Sequence, residues 1–153
     1  MKLSEHFTLE ELCASETASR QGIANKPSPD ALENLQRLAE SLELVRLILT
    51  APIHINSGYR SPALNRLVGG AANSAHQFGL AADVICPAFG NPLAVCHAVA
   101  DHGIDFEQII HEYAAWMHFA IADKGAMPKK QLLTIRNAKE GYLKGLISAV
   151  DLT

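Results

Sequence analysis

The chain has 153 residues, of which 48% are hydrophobic and 19% are charged. This composition excludes a disordered polypeptide, and the length predicts one globular domain that spans residues 1–153. The formal net charge of −3 excludes the basic surface by which proteins bind nucleic acid or anionic membranes, so we expect no nucleic-acid partner.

The beginning of the chain and its cysteines bear on the cellular compartment. Residues 1–6 contain no apolar run of the kind found in secretory signals, and no stretch approaches the ~20 apolar residues of a membrane span. We therefore expect synthesis in the cytoplasm and no membrane insertion. Cys13, Cys86 and Cys96 are odd in number and lack CxxC spacing, which favours reduced thiols over disulfides.

The first third of the chain predicts helices. Thr8 and Glu11 form a capping box that predicts a short first helix, and an irregular polar stretch follows as far as Asn25. Residues 28–30 then supply an N-cap serine and an N1 proline for a long helix that Pro52 ends. Apolar residues at three- and four-residue steps predict its buried face: Leu32, Leu35, Leu38, Leu42, Val45 and Leu49.

The rest of the chain predicts strands with two further helices between them. The helices are expected at 61–68 and 91–102, and the last seventeen residues are compatible with helix or strand. The strands are expected at 53–57, 80–85, 106–112, 116–121 and 132–136. Because the connections are short and a hairpin joins the third and fourth strands, we expect an α+β fold with a central antiparallel sheet packed with helices.

A histidine and an aspartate bracket a glycine within residues 74–83. In one continuous helix, His76 and Asp83 would lie ~10 Å apart along the axis, too far for one metal ion. Gly79 predicts a turn instead. If the chain folds back there, the two side chains converge.

Strand alternation adds a third polar side chain to this pair. Asp83 is expected on the face opposite the apolar Val84, and His118 on the face opposite the apolar Met117, so Asp83 and His118 meet across the sheet. With His76 they form two imidazoles and one carboxylate, a set suited to catalytic zinc with an open fourth position.

Three other residues are candidates for the chemistry beside such a metal. Glu112 stands six residues before His118 and is a candidate general base. Arg60, in the loop after the first strand, is a candidate for holding a substrate carboxylate or facing an oxyanion. Trp116 is a candidate wall of the pocket. The alternatives are a surface ion pair for Arg60, a solvated hairpin end for Glu112 and simple packing for Trp116.

These residues resemble a known family. The pattern S-x-H-x-x-G-x-A-x-D at residues 74–83, with W-x-H at residues 116–118, is similar to the zinc D-Ala-D-Ala carboxypeptidase and hedgehog-like metallopeptidase family. Within that family the chain most resembles phage L-alanyl-D-glutamate endopeptidases, which are endolysins. Residues 57–62 and the lead-in at 7–12 extend the similarity over most of residues 3–122.

The resemblance implies a hedgehog and D,D-peptidase type of fold and a set of roles. One branch of the family places the catalytic glutamate three residues before the final histidine, where this chain has Ala115, and other members place it six residues before, as Glu112 stands here. The implied roles are one Zn²⁺ ion on His76, Asp83 and His118, catalysis by Glu112 and Arg60, and substrate contacts from Tyr59, Ser74 and Trp116.

The implied substrate is a peptidoglycan stem peptide, cut between L-Ala and an acidic D-residue or at D-Ala-D-Ala. An endolysin without its own export signal needs a holin to reach the cell wall, and we expect a monomer. Two alternatives remain: a catalytically inactive, zinc-stabilised binding or structural module, and a phage structural or regulatory protein of the same fold.

Other residues of ligand type are expected to be bystanders. Cys86 follows Asp83 by three residues, but strand alternation directs it away, so we expect a small buried hydrophobe. Tyr59 has simple packing as its alternative role. Four histidines are expected to be surface or capping residues: His54, His97, His102 and His111.

Overall fold

The computed structural model describes residues 1–148. Within them the chain has an α+β fold, as the sequence predicted, and no helix is long and apolar enough to span a bilayer. In chain order the elements are α1 Leu9–Cys13, α2 Glu16–Arg20, α3 Pro29–Leu49, β1 His54–Ser57, α4 Pro62–Leu67, a 3₁₀-helix Ala75–Phe78, β2 Ala81–Ile85, α5 Pro92–Asp101, β3 Gln108–Glu112, β4 Trp116–Ala120, β5 Gln131–Ile135 and β6 Tyr142–Lys144.

The six strands form one sheet in the order β1-β2-β4-β3-β5-β6. The described pairings are antiparallel except that of β3 with β5, which is parallel, so the sheet is mixed rather than wholly antiparallel. The reason is the short route from β4 to β5. The β3–β4 hairpin returns the chain to the end of the sheet where β3 begins, and residues 121–130 only cross to the other side of β3. Lys130 there donates its backbone N–H to the Phe106 carbonyl at 3.0 Å.

The helix starts follow the predicted caps. The side chains of Thr8 and Ser28 accept backbone hydrogen bonds at the starts of α1 and α3. Helix α2 was not predicted, because it has only five residues and no apolar periodicity, although Ser15 caps it in the usual way. Helix α3 ends at Leu49, before the predicted stop at Pro52, because Thr50 adopts a left-handed conformation with φ 53°.

Helices α3 and α5 pack against one face of the sheet. The predicted leucine stripe of α3 faces this core, with Leu32 only partly buried. Cys86 is buried, as predicted, and its Sγ donates to the Pro52 carbonyl at 3.3 Å. The fully buried side chains from the sheet include Ala82, Val84, Ile109, Met117 and Phe119.

One histidine prediction was wrong. His54, His97 and His102 are exposed, but His111 is 4% exposed. The cause is strand alternation, which places His111 on the helix-covered face because its neighbour Glu112 occupies the other face. The last seventeen residues contain β6, and residues 149–153 lie outside the described part of the chain.

Candidate metal centre and active site

The sheet brings His76, Asp83 and His118 together on its second face. Asp83 of β2 stands directly opposite His118 of β4 in the strand register. One carboxylate oxygen, Oδ1 of Asp83, lies 3.0 Å from Nδ1 of His118 and 3.3 Å from Nε2 of His76. All three side chains are buried. The predicted convergence of this trio is therefore present in the structure.

The turn at Gly79 delivers His76 to this point. Gly79 closes the 3₁₀-helix with φ 72°, a left-handed conformation that favours glycine. A Cβ at this position would lie 2.5 Å from the Ala31 carbonyl oxygen of α3, so no larger residue fits without movement. The chain reverses here and enters β2, four residues before Asp83.

The donor set fits a zinc ion. Nδ1 of His76 lies 2.7 Å from the Gly58 carbonyl oxygen, which can only accept, so the proton resides on Nδ1 and Nε2 keeps its lone pair. One ligand atom each from His76, Asp83 and His118 lies within 4.8 Å of the others. Two imidazole nitrogens and a carboxylate oxygen would leave a fourth tetrahedral position free, which is the arrangement of catalytic zinc.

Electrostatics keep the central carboxylate ionised. Burial alone would raise the pKa of Asp83, but the interactions with His76 and His118 outweigh it and hold this pKa well below its usual range. An ionised, preoriented carboxylate is the form that binds a cation.

Glu112 lies beside this trio at the end of β3. Its Oε1 is 3.7 Å from Nδ1 of His118, and its Oε2 accepts a hydrogen bond from Nε1 of Trp116 at 3.1 Å. Burial raises the pKa of Glu112, and the charge of Asp83 adds to this, against the lowering effects of His118, Trp116 and Arg60. The carboxylate is thus held in place and made more basic, as a proton acceptor requires.

Trp116 is placed by the tight turn that joins β3 to β4. Tyr113 and Ala114 occupy this turn with φ 56° and 54°, the pattern of a type I′ hairpin. The backbone N–H of Ala115 donates to the Glu112 carbonyl at 2.9 Å and closes the turn. Trp116 therefore stands directly opposite Glu112 in the register.

Arg60 and Ser74 are linked on the other side of the centre. Nη2 of Arg60 donates to Oγ of Ser74 at 3.3 Å, and the same Oγ accepts the His76 backbone N–H at 3.3 Å. Burial lowers the pKa of Arg60, while the charges of Asp83 and Glu112 oppose this. Nε of Arg60 is buried and makes no hydrogen bond within the described residues. An anionic group of a substrate would satisfy it.

Tyr59 lies next to this arrangement but is buried. Its side chain is 5% exposed and belongs to the hydrophobic core. Tyr59 and Arg60 also line a cleft of about 500 Å³ between α2 and β1, which contains none of the three metal-site residues. The substrate contact predicted for Tyr59 remains a prediction.

Two contributors escaped the sequence analysis. The Gly58 carbonyl orients His76, and a Cβ on Gly58 would lie 2.2 Å from the Leu12 carbonyl oxygen, so α1 and the centre meet at this glycine. Asn25 is buried and binds the Tyr59 carbonyl and the Ser61 N–H, which fixes the loop that carries Arg60. Neither role has a local sequence signal, since both depend on contacts between distant segments.

A second cluster of possible ligands within the described residues consists of Glu5, His6 and Glu43. His6 interacts with Glu43 through Nδ1 at 2.8 Å from Oε1. Glu5 and His6 are exposed, so this cluster does not resemble the buried centre.

A buried two-histidine, one-carboxylate centre with an adjacent glutamate is the arrangement of a metallopeptidase. A family profile described as peptidase M15 matches residues 5–120, and the chain belongs to this metallopeptidase family. The matched segment contains His76, Asp83, Glu112 and His118 and ends before β5. A comparison with curated protein sequences gives no significant match.

Proposed function

We propose that the protein is a zinc metallopeptidase that hydrolyses an amide bond in peptidoglycan stem peptides. The observation that carries this proposal is the meeting of His76, Asp83 and His118 at one carboxylate oxygen, with Glu112 3.7 Å from His118. Membership of the peptidase M15 family supports the substrate class.

The reaction divides between the metal and the side chains. Zinc held by His76, Asp83 and His118 would supply a Lewis acid that polarises a carbonyl and lowers the pKa of a coordinated water to ~7. Glu112 accepts the proton of the attacking water and returns it to the departing amine nitrogen. Its raised pKa favours this exchange, and Trp116 holds one carboxylate oxygen so that the other faces the centre.

Arg60 binds the charged part of the substrate in this proposal. Its buried Nε has no partner within the described residues, and its Nη2 is fixed by Ser74, so the guanidinium is preoriented for a carboxylate. We assign the cut to the bond between L-Ala and an acidic D-residue, whose carboxylate lies next to the scissile amide. Cleavage at terminal D-Ala-D-Ala, which also ends in a carboxylate, is the second candidate for the same reason.

The biological setting follows from the same proposal. The protein would be made in the cytoplasm, act as a monomer, and reach the cell wall by holin-assisted release, as an endolysin does. Peptidoglycan would be its partner, with no role for nucleic acid.

Mass spectrometry of purified peptidoglycan fragments tests the proposal. The zinc-loaded protein is incubated with the fragments beside a chelated sample, the Glu112→Gln variant and the Glu40→Gln variant, whose substitution lies on exposed α3 surface. We expect Glu112→Gln to keep zinc and lose about 10²–10⁴-fold in turnover, and Glu40→Gln to cleave normally.

The products identify the reaction. Fragments ending in L-Ala, with release of peptides that begin with the acidic residue, establish the endopeptidase. Loss of a single D-Ala establishes the carboxypeptidase. Absence of cleavage despite stoichiometric zinc would reject the enzyme in favour of the inactive binding module, and near-normal turnover of Glu112→Gln would reject Glu112 as the base.

A further inference from the structure

A row of side chains crosses the sheet next to the metal centre. Trp116 pairs with Glu112, Glu112 pairs with Ile135, and Ile135 pairs with Tyr142 in the register of neighbouring strands. Residues paired in this way lie on the same face of a sheet. Tyr142 therefore lies on the face that carries Glu112, two strands away, which corresponds to ~10 Å between backbones.

Three aromatic side chains surround this end of the site, and we name Tyr113, Trp116 and Tyr142 the aromatic rim. Tyr113 is 45% exposed and Tyr142 is 59% exposed, while the rings of Tyr113 and Trp116 lie 5.7 Å apart. The two tyrosine hydroxyls make no hydrogen bond to another described residue. Large exposed rings are therefore available to a ligand.

Tyr142 is also in electrostatic range of the centre. Partial burial is the largest cause that raises the pKa of Tyr142, and the negative charges of Glu112 and Asp83 act in the same direction. Tyr142 belongs to β6, which lies outside the family match at residues 5–120.

The site is thus chemically asymmetric. In the strand order, β2 and β4 carry Asp83 and His118. Arg60 follows β1, which lies next to β2, whereas Tyr142 belongs to β6 at the opposite edge of the sheet. A substrate that crosses the centre would meet a cation at one end and aromatic rings at the other. The two ends must therefore bind different chemical groups.

We infer that the aromatic rim binds the amino-sugar ring to which the stem peptide is attached, an inference that rests on the proposed function. Aromatic faces pack against the C–H face of a pyranose ring, and phenolic hydroxyls exchange hydrogen bonds with its hydroxyls. In peptidoglycan the first L-Ala is joined to this sugar through a lactyl group. When Arg60 holds the acidic D-residue, the sugar lies only one residue beyond the scissile amide, toward Tyr142.

Two synthetic ligands that share the peptide and differ in the sugar with its lactyl link test this inference. One is N-acetylmuramoyl-L-Ala-D-γ-Glu-L-Lys, and the other is N-acetyl-L-Ala-D-γ-Glu-L-Lys. Calorimetry on the zinc-loaded Glu112→Gln protein gives both Kd values without turnover. The Glu112→Gln protein is then combined with Tyr142→Ala or with Tyr142→Phe. Leu47→Ala in the same protein is the control, because Leu47 is 74% exposed and belongs to α3, which packs on the face of the sheet opposite the metal centre.

We expect the muramoyl ligand to bind about fivefold more tightly than the acetyl ligand. Tyr142→Ala should bring this ratio close to one, Tyr142→Phe should retain most of it, and Leu47→Ala should leave it unchanged. Thermal unfolding confirms that the variants fold, which we expect because Tyr142 is exposed.

Two results would overturn the inference. One is equal affinity of the starting protein for both ligands, and the other is a ratio that Tyr142→Ala leaves unchanged, either with no loss of affinity or with an equal loss for both ligands. An equal loss would make Tyr142 a general support of the site rather than a sugar contact. A cleavage assay separates the two proposals. If the affinity ratio depends on Tyr142 but the protein with Glu112 intact cleaves neither these ligands nor a stem peptide that ends in D-Ala-D-Ala, the sugar site stands and the peptidase function fails.

Discussion

The two faces of the central sheet come from the same strands but differ completely in chemistry. On β2 and β4, Val84 and Met117 enter the helix-covered core, while their neighbours Asp83 and His118 build the metal centre. Burial is similar on both faces, since Asp83 and His118 are each 7% exposed. The faces therefore differ in the partners of their polar groups rather than in access to water.

Two histidines illustrate this difference. His118 has Asp83 at 3.0 Å and Glu112 at 3.7 Å. His111 lies on the opposite face, where burial lowers its pKa and no carboxylate is paired with it in the described residues. One imidazole can therefore bind a cation with carboxylate support, whereas burial disfavours the charged form of the other. The two histidines thus differ in role because they lie on opposite faces of the sheet.

Removal of one zinc ligand from the metal-site face should have the largest effect. We expect His118→Ala to lose zinc and all turnover, and to lose the stabilisation that zinc provides, which is about 2.7 kcal/mol when zinc is at 100 times its Kd. Metal analysis and thermal unfolding with and without zinc measure both effects. His97→Ala, on the exposed surface of α5, serves as the control. A His118→Ala protein with stoichiometric zinc at this site would contradict the ligand assignment.

The turn at Gly79, which connects the 3₁₀-helix of His76 to β2, should be the next most sensitive point. Gly79→Ala places a methyl group 2.5 Å from the Ala31 carbonyl, whereas Gly125→Ala has the same positive-φ cost with no atom within 4 Å. We expect Gly79→Ala to be destabilised by about 1–3 kcal/mol more than Gly125→Ala, because overpacking adds to the shared backbone cost. Urea unfolding of the metal-free proteins measures this difference. Equal losses of unfolding free energy in the two variants would show that α3 can move away from this methyl group without cost.

The contact between Trp116 and Glu112 should have a smaller effect, confined to the chemical step. Trp116→Phe keeps an aromatic ring and removes the N–H that donates to Oε2 of Glu112. Loss of a hydrogen bond to a charged group predicts about a tenfold lower kcat with KM nearly unchanged. Steady-state kinetics on a stem peptide separate the two parameters. A raised KM with normal kcat would instead show that the indole N–H acts in substrate binding rather than on Glu112.

On the helix-covered face, His111 should have the smallest effect. It should change the free energy of unfolding as the pH is lowered. The pKa of His111 is lowered in the folded protein by burial, with His97 of α5 acting in the same direction and the Ile147 backbone opposing both. Because the unfolded chain takes up this proton first, the stabilisation is complete above the unfolded pKa of about 6.5 and is lost as the pH falls below it.

The His111→Leu variant isolates this contribution. Urea unfolding in chelator at about pH 7.5 and about pH 5.5 gives the loss of unfolding free energy on acidification, which should be smaller in His111→Leu than in the unmodified protein. His102→Leu, at the exposed end of α5, is the control and should lose as much as the unmodified protein. Equal pH dependence in all three proteins would contradict the role given to His111.

Local patterns predicted much of this molecule. Alternation along β2 and β4 was sufficient to pair Asp83 with His118, and caps such as Ser28 located the helix starts, because both signals act within a few residues. Features that depend on distant segments were not predictable. The contact of His76 with Gly58, the parallel β5 and the position of Tyr142 all require knowledge of how separate parts of the chain meet.

The position of β5 has a consequence for shortened forms of the protein. The family match ends at residue 120, yet β5 pairs with β3 along its whole length, and Tyr113 donates its backbone N–H to the Ile135 carbonyl at 2.7 Å. A chain cut at residue 120 would leave β3 as an open edge strand, with unsatisfied amides and carbonyls that pair readily with other molecules. Strand β5 thus covers the edge of the strand that carries Glu112.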